Sequence, residues 1–390
     1  MIKLHKLTEG PENSLMRLGW NWMLGQDTLP YINNEMVLVS ETEAERYYDA
    51  TNELYEMYVA AAEYVIENDL LDAIGIPKNL HGIVKYSWEQ DNHFHLYGRF
   101  DLAGGIDNQP IKLIEFNADT ATCIPETAVV QWAALKANKL DDESQFNTLF
   151  ESLRENFKRI REMNRHLPPT ILFSTLKDYP EDDTNVRVMM EAAREASFDT
   201  EFAYIDEVEF SASEGVYRQN PYNQQYERFG FWFKLVPWEY IADEPDLPEI
   251  LTQIVKNDKA VVLNPAYTLI FQSKAILKVL WDLFPEHPLL LETQDKPLIG
   301  KKSVEKVLFG REGANVRILE SDGNVLTEAD GDYEEYPKVY QEYVEFLQDE
   351  KQNRYQAGVF FAYEACGLGF RRGGYIIDNT AQFVGHLVSE

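Results

Sequence analysis

The sequence predicts an α+β fold with interleaved lobes and a small α/β layer set among them. Three observations carry that expectation. A long early run free of Gly and Pro repeats its apolar residues at helical spacing. Strand and helix patterns alternate through the middle of the chain. After residue 301, short strands follow one another across turns rich in Gly, Asp and Asn.

Residues 41–68 put Tyr47, Leu54, Tyr58, Ala61, Tyr64 and Val65 on one stripe, which predicts a long amphipathic helix. Helices are expected at 126–139 and at 141–166, the second with Phe146, Leu149, Phe150, Leu153, Phe157 and Ile160 facing one way. Pro168 and Pro169 end that pattern. Residues 170–176 are apolar and β-branched enough for a buried strand; 185–197 reads as a helix and 200–205 as another strand. This alternation makes the α/β layer, between about residues 168 and 240. A helix at 273–284 precedes the strand-rich part, where "KVLFG", "NVRILES", "KVYQEYVEF", "AGVFFAYEACGLGF" and "GGYIIDN" read as strands. No repeat or low-complexity linker divides the chain. One unit is expected, with sub-lobes near 1–167, 168–245 and 246–390.

The 390 residues are 45% hydrophobic, which excludes global disorder. The net charge of -30 repels nucleic acid and anionic lipid and attracts cations, metal ions and polyamines included. Solubility is the simpler account of most of that charge. Two cysteines, Cys123 and Cys366, are too few for a disulfide scaffold. The N-terminal "MIKLHKLTEG" has no signal-like apolar run, and no stretch of about 18 apolar residues occurs. A cytoplasmic protein without nucleic-acid or membrane partners is expected, its oligomeric state open.

The stretch "GRFDLAGGIDNQPIKLIEFNADTATCIPE" (98–126) holds two strand-like runs with polar residues at every second position. Side chains at i and i+2 share a face, so Arg99 and Asp101 point together, as do Glu115, Asn117 and Asp119. Phe100, Phe116 and Ala118 point into a core. The short connector predicts a hairpin that gathers carboxylates, an amide and a guanidinium into one patch. Asp101, Glu115 and Asn117 suit a hard cation such as Mg²⁺, and Arg99 suits a phosphate or carboxylate. A solvated charged strand face is the alternative.

Two other stretches bear on phosphates. "GREGAN" is a Gly-containing loop between strands, with Lys306 just before it. "ACGLGFRRGGYIIDNTAQF" offers Gly367 and Gly369 for close ligand approach, with Arg371 and Arg372 beside them; a hairpin with a basic turn explains it equally well. His93 and His95 read better as buried strand histidines than as metal ligands. Cys123 has no sequence-near His, and the P-loop and GxGxxG fingerprints are missing.

Seven segments together resemble the glutathionylspermidine synthase, or acid–amine ligase, branch of the ATP-grasp enzymes. They are "GWNWMLGQDTLPYI", "RFDLAGG…IKLIEFNADTATCIPE", "FKLVPWEYI", "LNPAYTLIFQSKAILKVLWDLFPEHPLLLE", "GREGANV", "YQEYV" and "ACGLGFRRGGYIIDNTAQFVGH", in family order from Gly19 to His386. The resemblance implies an ATP-grasp-like synthetase that joins a carboxylic acid, glutathione or a related acid, to a polyamine-like amine through an acyl phosphate. It implies ATP and two Mg²⁺ ions as cofactors. Asp101, Glu115 and Asn117 match the metal ligands, and Arg99 the arginine that contacts the transferred phosphoryl and the acid. Lys274 and Lys306 match the ATP-phosphate lysines, Gly313 the closing loop, and Gln341, Glu342, Tyr343 and Val344 the adenine hinge. Arg371 matches the arginine that steadies the phosphoryl, and Thr120, Thr122 and Cys123 the acid pocket. Val307 follows Lys306 where relatives usually have Lys-Pro, and residues 296–306 are dense in lysine, so Lys301 or Lys302 is the alternative to Lys306. The amidase of bifunctional relatives is not expected. The same fold with an amino-acid or peptide amine is a second reading, and a degenerate ATP-binding regulator is a third.

Overall fold

A computed structural model of the chain describes residues 1–25, 30–141, 144–333 and 336–389. The long helix forms where its sequence demands it, over Glu41–Glu67. Ser40 caps it: its hydroxyl accepts from the Glu43 amide while the Glu43 carboxylate accepts from the Ser40 amide. Tyr47, Leu54, Tyr58, Ala61 and Val65 are buried, but Tyr64 is exposed and drops out of the expected stripe.

That helix lies against the sheet that carries the site. The strands run in the order Gln382–Val384, Glu364–Gly373, Arg354–Ala362, Gly98–Ala103 and Lys112–Asn117, all antiparallel. Two distant parts of the chain therefore share one sheet, and this is the interleaving. Phe100 and Phe116 stack with centroids 3.8 Å apart on the helix side, and Tyr58 meets Phe116 edge-on at 5.2 Å. Packing one face so tightly commits the alternate residues, 99, 101, 115 and 117, to the other.

Opposite them stands an antiparallel sheet ordered Thr293–Gln294, Lys338–Glu342, Ser303–Val307, Arg317–Leu319 and Val325–Glu328. The α/β layer is a parallel sheet ordered Val261–Leu263, Phe231–Lys234, Thr170–Ser174 and Asp199–Phe202. It reaches past the expected end at 240 because the short apolar run at 261–263 adds a fourth strand. Val208–Ser211, Gly215–Gln219 and Tyr226–Phe229 form a separate meander.

Several expected boundaries move, each for a physical reason. The helix expected at 141–166 spans Leu149–Met163. Residues 142 and 143 lie outside the described residues, and the segment after them is held by the C-terminal strands: the Phe146 amide donates to His386 Nε2 and the Thr148 amide to the Cys366 carbonyl. The helix expected at 126–139 begins as a π-helical turn, Glu126–Val130, and continues as Gln131–Ala137. The helix expected at 273–284 begins at Ile276, which leaves Lys274 in the turn before it. The one expected at 185–197 spans Pro180–Glu195, with Pro at its first turn beside Glu181, Asp182 and Asp183. "GGYIIDN" is not a strand; only its first residue, Gly373, ends one. His93 and His95 are buried in a connecting segment rather than a strand, and burial pushes both imidazoles down to about 4. Among the described residues no helix is long and apolar enough to cross a membrane.

Candidate active site

The hairpin pairs Asp101 with Glu115 and Arg99 with Asn117, with a bulge just after Asp101. All four side chains stand on the face away from Phe100 and Phe116. Asn117 Nδ2 donates to Asp101 Oδ2 at 3.1 Å and to Glu115 Oε1 at 3.5 Å. Arg99 forks onto Asp101, Nε to Oδ1 at 2.7 Å and Nη2 to Oδ2 at 3.1 Å, and its Nη1 donates to the Thr122 carbonyl at 2.7 Å. Asp119 does not join this face. The strand ends at Asn117, and the Asp119 carboxylate is buried against Lys234 Nζ at 2.8 Å and the Trp238 amide at 3.0 Å.

Two lysines reach the patch from other elements. Lys274 Nζ lies 3.2 Å from Glu115 Oε2 and donates to the Gly310 carbonyl at 2.7 Å. Lys306, on the Ser303–Val307 strand, donates to Gln341 Oε1 at 2.7 Å and to the Ile114 carbonyl at 3.1 Å. Burial pushes the Glu115 carboxyl up, but Lys274 and Lys306 pull it back and hold it below the ordinary glutamate range. Burial pushes the Lys306 ammonium down to about 8, against the pull of Glu115. The alternatives to Lys306 are engaged elsewhere: Lys301 with Glu292 and Glu342, Lys302 with Glu320. Lys306 is therefore the lysine the fold brings to Glu115.

Among the described residues no group of three or more His, Cys, Asp or Glu is arranged to hold a metal ion. Asp101, Glu115 and Asn117 supply two carboxylates and one amide. That set fits Mg²⁺, which takes one or two carboxylates and completes its shell with water and phosphate oxygens.

Next to this patch lies the loop after Asn117. Cys123 adopts a left-handed backbone, φ 71°, which turns the chain into the π-helical segment. Arg371 Nη1 lies 3.7 Å from Cys123 Sγ, and Nη2 donates to the Asp378 and Ala381 carbonyls at 3.0 Å each. Its Nε, although buried, has no hydrogen-bond partner among the described residues. Arg372 instead binds Glu35 and Gln382, at the sheet edge. Burial pushes the Cys123 thiol up, away from a nucleophilic thiolate. A Cβ on Gly367 or Gly369 would crowd Thr127 at 3.1 Å or Phe383 at 2.7 Å. These glycines admit the chain's own 126–130 turn and Phe383, not a ligand as the sequence suggested.

The "GREGAN" loop closes over the same region. Arg311 Nη1 donates to Thr120 Oγ1 at 2.8 Å and its Nη2 to Glu239. Gly313 has φ 73° and a Cβ there would strike Ile376 at 2.9 Å, so the loop rests on the 374–380 segment. The Gln341–Val344 segment lies farther along the Lys338–Glu342 strand: the Glu342 amide is taken by the Glu292 carbonyl and the Tyr343 amide by that of Lys302.

Sequence reasoning missed an acidic cluster beside Thr122. Glu181 lies against the Thr122 hydroxyl, and burial and Glu312 raise its carboxyl. Burial and Glu181 push Asp182 up to about 7. Burial and Glu181 also push Glu126 up to about 7; its Oε1 accepts from the Tyr31 hydroxyl at 2.8 Å. The available signal was Pro180 followed by Glu-Asp-Asp, a helix start that places Glu181 and Asp182 on a half-buried helix end. Residues 26–29 of the "GWNWMLGQDTLPYI" segment lie outside the described residues.

A family model described as glutathionylspermidine synthase preATP-grasp matches residues 3–389. A Haemophilus influenzae protein named as a proposed acid–amine ligase is 27% identical over 367 residues, covering 88% of this chain and 87% of its own. The bifunctional glutathionylspermidine synthetase/amidase of Escherichia coli is 28% identical over 329 residues, 78% of this chain but 51% of its own length. This chain thus spans about half of that relative. At the level of fold alone, a glutathione synthetase-like effector from Globodera pallida superposes over 99% of this chain with a TM-score of 0.55 at 10% identity. The α+β architecture of interleaved lobes is shared with that effector. The chain belongs to the glutathionylspermidine synthase preATP-grasp family.

Proposed function

We propose that this chain is an ATP- and Mg²⁺-dependent ligase that joins a glutathione-like carboxylic acid to a polyamine-like amine through an acyl phosphate. The observation that carries this is the hairpin face of Asp101, Glu115 and Asn117, with Lys274 and Lys306 converging on Glu115 from two other elements. Few roles other than triphosphate binding need two buried lysines set against a hard-cation site. When bound, Mg²⁺ would neutralise the β- and γ-phosphate charge and leave the phosphorus open to attack. The acid sits at Thr120, Thr122 and Cys123, where Arg99 and Arg371 face its carboxylate and the transferred phosphoryl. Gly313 carries the loop that closes over the nucleotide. Gln341 to Val344 line the adenine end, where a backbone donor to the purine falls to Val344 because the Glu342 and Tyr343 amides are paired. In this reading 1–167 holds metal and acid, 168–245 is the pre-ATP-grasp layer and 246–390 binds nucleotide.

A free carboxylate resists an amine; transfer of the γ-phosphoryl to it creates a leaving group. The products should be ADP and phosphate, not AMP and pyrophosphate. Oxygen-18 placed in the acid carboxylate should appear in the released phosphate. The reaction is first found by incubating the protein with Mg-ATP, pooled acids and amines, and reading condensation products by mass spectrometry. AMP as the main nucleotide product, or unlabelled phosphate during productive ligation, overturns the mechanism.

The amine is assigned to Glu181 and Asp182. Burial first, and then neighbouring carboxylates (Glu312 for Glu181, Glu181 for Asp182), raise both carboxyls, and a cation beside them would relieve the crowding. Asp182 has a folded-state pKa of about 7 against an ordinary 3.8, so between those values the folded protein holds a proton that the unfolded chain releases. Stability from this group therefore falls as pH rises through that window. A bound polycation favours the ionised form and offsets the loss. Spermidine should then raise the melting temperature little near pH 5 and increasingly up to about pH 8. The same gain at every pH, or from sodium chloride of equal ionic strength, counts against the assignment.

A further inference from the structure

We propose that Tyr31 and Glu126 form a proton relay that makes the amine nucleophilic: the substrate ammonium gives its proton to the Tyr31 hydroxyl oxygen as Tyr31 passes its own to the Glu126 carboxylate. This rests on the ligase reading above. An aliphatic amine is protonated at neutral pH and has no lone pair to offer, so ligation needs a base. Asp101 and Glu115 are poor candidates, because each is held by a cation, Arg99 and Lys274.

Glu126 is differently placed. It opens the π-helical turn three residues after Cys123 and its side chain is fully buried. One oxygen accepts from Tyr31, and the other, equally buried, has no hydrogen-bond partner among the described residues. A carboxyl kept only for packing would have both oxygens satisfied. The Tyr31 hydroxyl is 3.6 Å from Cys123 Sγ, inside the acid pocket, and its ring lies 5.7 Å from the Arg371 guanidinium. Tyr31 thus bridges the reacting region and Glu126. Trp22 fixes this arrangement, stacking on Tyr31 with centroids 5.6 Å apart and donating to Thr184 Oγ1 on the helix that carries Glu181.

The charged and titratable groups facing Glu126 are Tyr31, Cys123, Glu181 and Arg371. Burial and Glu181 bring its proton affinity close to neutral pH, where a general base works best. The step balances as follows. R–NH₃⁺ loses one proton to the Tyr31 oxygen, the Tyr31 proton moves to Glu126, and R–NH₂, phenol and carboxylic acid remain. The nitrogen lone pair forms the C–N bond to the acyl carbon. The C–O bond to phosphate breaks with its electron pair on phosphate, which also takes the second nitrogen proton. Glu126 then returns its proton to solvent through Tyr31.

The test uses Tyr31→Phe and Glu126→Gln with glutathione and spermidine. Two rates are measured: scrambling of oxygen-18 between bridging and non-bridging positions of ATP with acid but no amine, and amine-dependent ligation. The ratio of ligation to scrambling should fall about 10²-fold or more in both variants. The acidic limb of the ligation pH profile, near pH 7 in the parent, should move up toward the amine's own pKa. Glu126→Asp should keep that limb at a lower rate. An unchanged ratio and an unmoved limb overturn the relay while leaving the ligase reading intact. Scrambling and ligation both missing in the parent chain overturn the ligase reading and the relay together. Should Glu126→Gln lose scrambling through misfolding, Tyr31→Phe, which removes only the bridging hydroxyl, decides by the same two readouts.

Discussion

Replacing Glu115 by Gln should lower ligation turnover about 10²- to 10³-fold while the protein stays folded. The substitution keeps the side-chain shape and removes only the charge. That charge does two things at once. In the proposed site it would offer an oxygen to a hard cation beside Asp101 and Asn117, and it pairs with Lys274 and favours the charged form of Lys306. Glu115 is the main influence that raises Lys306, whose ammonium burial already pushes down to about 8. Without it, Lys306 should lose its proton at lower pH. The variant's ATP affinity should therefore fall off on the alkaline side earlier than that of the parent. Asp101→Asn should lose turnover similarly but with a smaller alkaline shift, because Asp101 is bound to Arg99 and raises Lys306 less than Glu115 does. Steady-state kinetics across Mg²⁺ concentrations and pH, with circular dichroism as a folding check, separate these effects. Near-normal turnover of Glu115→Gln at saturating Mg²⁺ removes the metal role assigned here.

The hairpin was legible from sequence because period-2 alternation is a local code, and local codes survive folding. Arg99, Asp101, Glu115 and Asn117 share a face as expected, and Phe100 and Phe116 fill the other. Asp119 broke the pattern two residues later. Alternation cannot say where a strand ends, and the buried Lys234 that captures Asp119 is 115 positions away. Lys274 and Lys306 lie far from the hairpin in sequence; the Gly-containing loop just after Lys306 and the family resemblance pointed to that lysine, and the resemblance alone to Lys274. The structure adds that, of 301, 302 and 306, it is Lys306 whose charge acts on Glu115, while Lys301 and Lys302 pair with other carboxylates.

What stayed hidden follows from the same limit. The 141–166 helix pattern was sound as hydrophobic periodicity, yet residues 146 and 148 are taken by hydrogen bonds to strands more than two hundred positions away. The acidic cluster was missed for a different reason. Glu181 and Asp182 fall just before the helix expected at 185–197, and only the helix start at Pro180 and the approach to Thr122 bring them together as crowded, half-buried acids. Gly367 and Gly369 misled in the opposite sense. A glycine announces a close approach, but not whether ligand or protein makes it.

Arg371→Ala should lower kcat about 10²-fold or more and change the KM for ATP far less. Two backbone carbonyls fix one edge of the guanidinium, so among the described residues it is held in place without a hydrogen-bonded carboxylate, although the Glu126 carboxyl lies near enough to act on its charge. Its Nη1 faces Cys123 and its Nε is buried without a hydrogen-bond partner among the described residues. A buried cation left incompletely paired is costly unless an anion completes it. In the resting protein no carboxylate among its hydrogen-bond partners does so, and in the proposed reaction the phosphoryl passing from ATP to the acid does. Charge on that group is redistributed most in the transition state, which is why the loss should fall on kcat. Arg371→Lys should recover little, since an ammonium cannot hold both carbonyls and still present a planar edge to the phosphoryl. The check is a full kinetic analysis of both variants with ATP, acid and amine varied in turn. A rise in KM for ATP with kcat preserved would make Arg371 a ground-state nucleotide contact. The transferred phosphoryl would then have to be met by Arg99, which already reaches from Asp101 to the Thr122 carbonyl.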